Sequence, residues 1–501
     1  MFEGQPKGLW TLALANTGER FGYYTMLAVF ALFLGENFGF SAGTASEIYT
    51  WFLTAVYFLP LFGGMAADKW GYNKMVIIGI VIMFLGYLLL SIPLGHDTAA
   101  AAAMGLALLL VSLGTGLFKG NLQVMVGDLY NAPEYANKRD SGFSLFYMAI
   151  NIGALFAPTA AIRIMDWAQL SLGYSKADSY HFAFAVAAVS VIVSILIYAL
   201  GRSTYSQVLT SARKTTSAGN KEEKDTMSKS EVRERIVCLC LVFAVVIFFW
   251  MAFHQNGLTL TWFADEFTAT TSSGIQSMLF DVLNLVACIF IVFGLFGIFQ
   301  NKTPKGKLLS IGITVLAIAY LCYKYTILEP EISLSAPIFQ QFNACFVVML
   351  TPVSIALFGW LAKKGKEPKA PVKIGLGMLV AGFAYLLMMV FSIGLPASDH
   401  PNHVADASPY LLVNTYLILT FAELLLSPIG ISFVTKVAPT KYKGMMMGGW
   451  FVATALGNKL VSIPGHMWDM PLPVVWGTLM AICLVAALFI FAIIKKLNKV
   501  A

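Results

Sequence analysis

Apolar residues run along this chain in blocks too long for a soluble fold. Blocks bounded by polar or Pro/Gly-containing loops fall at about 10–35, 47–67, 75–94, 99–122, 141–163 and 181–200. They resume at about 236–263, 278–299, 308–327, 337–362, 374–395, 409–435, 445–465 and 473–494. Each approaches the roughly 20 residues that cross a bilayer. A backbone in lipid must satisfy its own hydrogen bonds, so each block predicts a transmembrane α-helix, about fourteen in all. The composition agrees: 58% of the residues are hydrophobic and 12% charged, against about 25% charged in a soluble domain. The 501 residues form an all-α polytopic membrane protein with nothing left over for a separate soluble domain.

The loops orient the helices. With the N-terminus taken as cytoplasmic, one set of loops holds Lys69 and Lys74, Lys138 and Arg139, Lys302, Lys305 and Lys307, Lys363 to Lys373, and Lys436, Lys441 and Lys443. The C-terminal tail adds Lys495, Lys496 and Lys499. The opposite set holds Glu36, Glu47, Asp265, Glu266, Glu329, Glu331, Asp399, Asp406 and Asp469. Positive residues favour the cytoplasmic side, so both termini are expected there, in the cell's inner or plasma membrane. The formal charge of +7 is thereby a topology signal and not a nucleic-acid surface. The start, Met1 to Arg20, is not a cleavable signal peptide, because Glu19 and Arg20 break its apolar run.

The longest polar stretch, 202–234, contains Lys214, Lys221, Glu222, Glu223, Lys224, Asp225, Lys229 and Arg233. It predicts a mobile cytoplasmic linker between an N-terminal six-helix bundle (1–201) and a C-terminal part (235–501). Two such halves suggest alternating access and not a channel. The six cysteines stand in apolar runs without metal-ligand spacing, so buried, inert thiols are expected and no metal. No His-x-x-x-His pair, Ser/His/Asp set or carboxylate dyad points to an enzyme.

Charges inside the helices carry the functional signal, since each costs about 2.5–3.5 kcal/mol at the bilayer centre. In Asn16-x-x-Glu19-Arg20-Phe21-x-Tyr23-Tyr24 the polar residues share one broad helix face. Adjacent residues on a helix pair awkwardly, so Glu19 and Arg20 are expected to reach other helices or a ligand; a structural polar cluster is the alternative. Lys119, near the end of the fourth span, either snorkels to the interface or faces the interior. Glu423 lies mid-span without a local counter-charge, and Lys119 is a candidate partner. His254 either hydrogen-bonds a neighbouring helix or titrates near neutrality. Gly63-Gly64-x-x-Ala67-Asp68-Lys69-x-Gly71-x-x-Lys74 is similar to the gating loop of the major facilitator superfamily, with Asp68, Lys69 and Gly71 as its core; an ordinary positive loop with a glycine turn is the alternative.

In order along the chain, Glu19-Arg20-Phe21-Gly22-Tyr23-Tyr24, Phe118-Lys119-Gly120-Asn121, Val126-Gly127-Asp128-Leu129-Tyr130, Ile150-Asn151-Ile152-Gly153-Ala154, Phe249-Trp250, Gln340-Gln341-Phe342-Asn343 and Ala422-Glu423-Leu424-Leu425-Leu426-Ser427-Pro428 resemble the proton-dependent oligopeptide transporter family of that superfamily. The resemblance implies two six-helix bundles plus two extra helices. It also implies a monomeric symporter that imports di- and tripeptides with protons as coupling ion and no other cofactor. By motif, Arg20 and Lys119 would hold the peptide carboxylate. Glu423, Asn151 and Asn343 would hold its amino group, with Ser427 one turn from Glu423. Tyr23, Tyr24, Tyr57, Trp250 and Trp450 would line the side-chain pockets. Glu19, Lys119, His254 and Glu423 would carry proton coupling, with Lys119 and Glu423 as a pH-sensitive pair.

Several family positions differ. Asn16 stands for a glutamate, and Leu27 and His254 stand for an ion pair that gates the extracellular side. Thr50 is near the place of a histidine found in mammalian members. Gly120 and Ala344 replace prolines. The extra pair falls at 278–327, after the seventh helix, whereas bacterial members often carry it before. These departures keep open a second expectation, the same fold acting on an amino-acid derivative, nitrate or another small anion.

Overall fold

The computed structural model describes residues 4–135, 138–211, 227–396, 403–439 and 442–500. The first seven helices are α1 (Lys7–Phe38), α2 (Ala42–Phe58), α3 (Pro60–Trp70), α4 (Tyr72–Leu90), α5 (Thr98–Asp128), α6 (Arg139–Leu172) and α7 (Lys176–Leu200). After the short α8 (Ser206–Ser211) come α9 (Lys229–Phe253), α10 (Thr259–Glu266), α11 (Val282–Gln300), α12 (Pro304–Thr326) and α13 (Gln341–Lys363). The chain closes with α14 (Ala370–Phe391), α15 (Pro409–Val437), α16 (Lys443–Leu460), α17 (Ser462–His466), α18 (Leu472–Ala492) and α19 (Ile494–Val500). A two-stranded antiparallel ribbon, β1 (Thr271–Ser273) with β2 (Glu331–Ser333), brackets α11 and α12.

Among the described residues, twelve helical stretches are long and apolar enough to cross a membrane. The sequence predicts about fourteen spans; the two remaining blocks are the helices α1 and α16, of 32 and 18 residues, which are outside that set of twelve. Helix α1 carries Glu19 and Arg20 in its interior, and Lys443 and Lys459 stand at the ends of α16. Helices α2 and α3 form one bent span, with Pro60 at the first position of α3, where its missing N–H costs little. Helices α9 and α10 likewise form one span, broken by a 3-10 turn at His254–Gly257.

Two corrections concern the middle of the chain. The expected linker 202–234 is shorter than its charge suggests. Residues Gly201–Tyr205 form a 3-10 turn, α8 follows, and α9 begins at Lys229 with Ser228 as its N-cap. Lys214, Lys221, Glu222, Glu223, Lys224 and Asp225 lie outside the described residues, as do Asp399 and Lys441. The cysteines also differ from expectation. Cys238, Cys345 and Cys483 are buried and Cys288 is intermediate, but Cys240 and Cys322 are exposed. A small apolar thiol tolerates a lipid-facing position as readily as a core one.

Close helix approach rests on glycine. A Cβ on Gly114 of α5 would lie 2.5 Å from the Gly79 carbonyl oxygen of α4, and one on Gly79 would lie 2.7 Å from that of Gly114. The obstacle is backbone on both sides, as expected where small residues let membrane helices touch. Gly114→Val should therefore cost about 1–3 kcal/mol, read as a lowered thermal midpoint in detergent, while Gly105→Val, with open space around it, should not.

Candidate functional site

Glu19 and Arg20 are buried on α1, with relative exposures of 0% and 3%. Contrary to the expectation from helix geometry, they pair with each other. Arg20 Nε donates to Glu19 Oε2 at 2.5 Å and Nη2 donates to Oε1 at 2.6 Å. The flexible arginine stem bends the planar fork onto the carboxylate. Small residues also press this face of α1 against its neighbours: a Cβ on Gly22 would meet Ser190 Oγ at 2.4 Å. Because both groups are buried, an unpaired partner would be far costlier than a bent side chain. The bidentate pair uses two of the five guanidinium donors, and the Arg20 carbon Cζ lies 4.8 Å from the Tyr23 ring centre.

Lys119 does not reach an interface. Helix α5 continues to Asp128, and the ammonium sits 4.1 Å from the centre of the Tyr57 ring on α2, a cation–π contact. Tyr57 in turn faces His254, with ring centres 5.9 Å apart, and His254 stacks on Trp250 at 4.9 Å. His254 Nδ1 hydrogen-bonds Asn458 Oδ1 of α16 at 2.5 Å. His254 is therefore a helix-to-helix contact in this state. Trp250 Nε1 and Asn458 Nδ2 are buried without hydrogen-bond partners among the described residues.

Glu423 belongs to the opposite wall. Asn343 Nδ2 of α13 donates to Glu423 Oε2 at 3.1 Å and to Thr420 Oγ1 at 3.0 Å, so two helices present one braced carboxylate. Lys119 and Glu423 do not form the expected ion pair. The ammonium rests on Tyr57, and the carboxylate is held by Asn343. The two charged groups stand on different helices, Lys119 on α5 and Glu423 on α15. Tyr147, Tyr57, Lys119 and Asn343 are all partly exposed, Tyr147 by 49%.

The remaining expected residues divide. Ser427 Oγ, one turn from Glu423, is buried without a hydrogen-bond partner among the described residues. Trp450 is buried against Gly430, where a Cβ would lie 2.2 Å from the indole. Tyr23 packs edge-on to Tyr24 and stacks near Phe52. Asn151 donates at 3.0 Å to the Tyr147 carbonyl of its own helix. In the loop motif, Asp68 accepts a short hydrogen bond from Tyr72, Lys69 lies over the Trp70 ring, and Gly71 has φ 94°, a value that favours glycine.

Contacts between the α1–α7 helices and the helices after α8 concentrate toward the α1–α2 turn. Lys459 Nζ of α16 meets Glu47 Oε2 of α2 at 2.5 Å, and His466 Nε2 lies 3.7 Å from Glu47 Oε1. Nearby, Gln340 donates to the Ala28 carbonyl at 3.1 Å and Thr159 to Gln341 at 3.1 Å. A Cβ on Gly465 would meet that of Ser46 at 2.4 Å, and one on Gly257 the Tyr49 hydroxyl at 2.0 Å. This end is closed. Lys459, Asn458 and Tyr147 were not singled out by the sequence. Lys459 carried a usable signal, a lysine inside the apolar block 445–465.

The POT family profile matches residues 73–218 and 324–470, more than half of the chain. An uncharacterized transporter, YclF of Bacillus subtilis, is 29% identical over 99% of this chain and 96% of its own length. The peptide transporter YePEPT of Yersinia enterocolitica is 28% identical over 98% and 94%. A di-/tripeptide transporter of Lactococcus lactis is 26% identical over 92% and 89%. Among solved structures, a POT peptide transporter in complex with sulfate superposes with TM-score 0.74 at 24% identity, covering 100% of this chain and 96% of that one. A POT family transporter in complex with 5-aminolevulinic acid gives 0.74 at 20% identity, over 100% and 98%. The architecture is that of the major facilitator superfamily, the protein is a membrane transporter and not an enzyme, and the chain belongs to the POT family of peptide transporters.

Proposed function

We propose that this protein is a proton-coupled symporter importing di- and tripeptides by alternating access, with both termini cytoplasmic and the extracellular side closed in this structure. The observation that carries the reading is the pair of separate, oppositely charged groups that the helices bury, each held by its own neutral partner. Lys119 lies on the α1–α7 side, held only by an aromatic face, and Glu423 lies opposite, braced by Asn343. A zwitterionic peptide brings a carboxylate and an ammonium a few bonds apart and complements both walls. Arg20 adds guanidinium donors left over from Glu19, and the aromatic residues accept varied side chains. The relatives named di-/tripeptide transporters support this substrate class. Competition in counterflow tests it: di- and tripeptides should displace labelled dialanine, and free alanine or nitrate should not. Inhibition by nitrate with none by peptides would select the small-anion reading. Inhibition by 5-aminolevulinate would add an amino-acid derivative, the ligand of one structural neighbour.

Alternating access needs a closure that forms and breaks. Leu27 and His254 cannot supply the family's extracellular pair, and the Glu47–Lys459 contact supports a substitute one helix over. Glu47→Lys and Lys459→Glu should each slow uptake severalfold through like-charge repulsion, and the double exchange should recover most of it, since opposite charges again meet. Uptake by reconstituted protein is the measurement.

A further inference from the structure

Away from Lys119 and Glu423, a groove of about 680 Å³ runs between α1, α6 and α7. Its lining includes Gly18 and Gly153, where α1 packs closely against α7 and α6, together with Phe21, Phe156, Val189 and Val193. Its polar side chains are already used. Thr17 Oγ1 donates to the Ala13 and Ala149 carbonyls at 2.9 and 3.0 Å, and Ser190 Oγ donates to Ala187 at 2.8 Å. Such a surface offers nothing to a peptide and fits a hydrocarbon chain. The volume lies within the range of about 300–1,000 Å³ that holds a small organic ligand.

Arg163 lies on α6 beside the groove's lining residues, toward the C-terminal end of that helix. It follows Ile152 and Phe156 at helical spacing on α6, and its neighbour Ile164 lines the groove. It is exposed and has no hydrogen-bond or ion-pair partner among the described residues; Asp166, one turn on, forms no ion pair with it. Trp167 lies one turn nearer the helix end, edge-on to Phe182, and tryptophan favours the depth of the headgroups. A bare guanidinium on a membrane-facing helix wants an anion, and the anion at that depth is a lipid phosphate.

We propose that this groove is a phospholipid-binding site, in which one acyl chain lies between α1, α6 and α7 and Arg163 binds the phosphate. The site is separate from Lys119 and Glu423 and independent of what they bind. Delipidated protein titrated with dioleoylphosphatidylglycerol, or with dioleoylglycerol lacking the phosphate, and read by native mass spectrometry tests the proposal. Wild-type protein should retain one phosphatidylglycerol and bind dioleoylglycerol about tenfold more weakly, the loss of one charge-assisted contact. Arg163→Gln should reduce phosphatidylglycerol to the dioleoylglycerol level. Val189→Trp, at a surface position whose change leaves the core intact, should remove both lipids while the thermal midpoint stays unchanged. Wild-type phosphatidylglycerol binding by either variant would overturn the site. So would displacement of the lipid by inorganic phosphate, which would make Arg163 a soluble-anion contact.

Discussion

Glu423→Gln is expected to abolish gradient-driven accumulation of peptide while leaving exchange across the membrane largely intact. The glutamine carbonyl can still accept from Asn343, whose amide lies 3.1 Å from the present carboxylate, so the wall keeps its shape. What disappears is the group that can gain and lose a proton. Glu19 cannot take over, because its two oxygens are occupied by Arg20 at 2.5 and 2.6 Å. Accumulation should fall to that of protein-free liposomes under an imposed pH gradient. Counterflow, in which protonation need not change, should remain within about twofold of wild type, a difference of under 1 kcal/mol. If accumulation survives, proton coupling lies elsewhere, with His254 as the position to revisit.

Glu19→Gln is expected to be the most destabilising single change in the first helix. It would leave the Arg20 guanidinium buried at 3% exposure without its counter-charge, and breaking one side of a buried pair costs about 3–5 kcal/mol. The double change Glu19→Leu with Arg20→Leu removes both charges together, and apolar replacement of a whole pair is often neutral. The double variant should thus regain most of the thermal midpoint that Glu19→Gln loses, followed by intrinsic fluorescence in detergent. It should still bind peptide more weakly, because the Arg20 donors assigned to the substrate carboxylate are gone and Lys119 alone remains. A double variant as unstable as the single one would mean that the pair itself, and not the stranded charge, holds α1 in place.

Much of the fold was legible because bilayer-length apolar blocks leave helix as the one solution for the backbone. The pairings of the charges were not legible in the same way. Glu47 and Lys459 are 412 residues apart in sequence, and Glu47 looked like one more acid at a loop although it lies within α2. Its partner was hidden inside an apolar block, where Lys459 drew less notice than Glu423 had. Glu19 and Arg20 erred in the opposite direction. Their spacing on an ideal helix argued against a contact, but side-chain flexibility and burial outweighed backbone direction. Lys119 and Glu423 were recognised as a functional set, but periodicity carries no information on distance between helices, so their separation emerged only with the packing. Resemblance grouped Asn343 with Glu423 across 80 residues, a contact that spacing alone would not have suggested.

The central claim is that peptide entry is driven by protons through Lys119 and Glu423. Purified protein in liposomes, given labelled dialanine with and without an imposed pH gradient, tests it most directly. The account predicts concentration of the dipeptide inside when the exterior is acidic, no accumulation without the gradient, and loss of accumulation when a protonophore is added. Equal uptake with and without the gradient, or a gradient that moves no peptide at all, would contradict it.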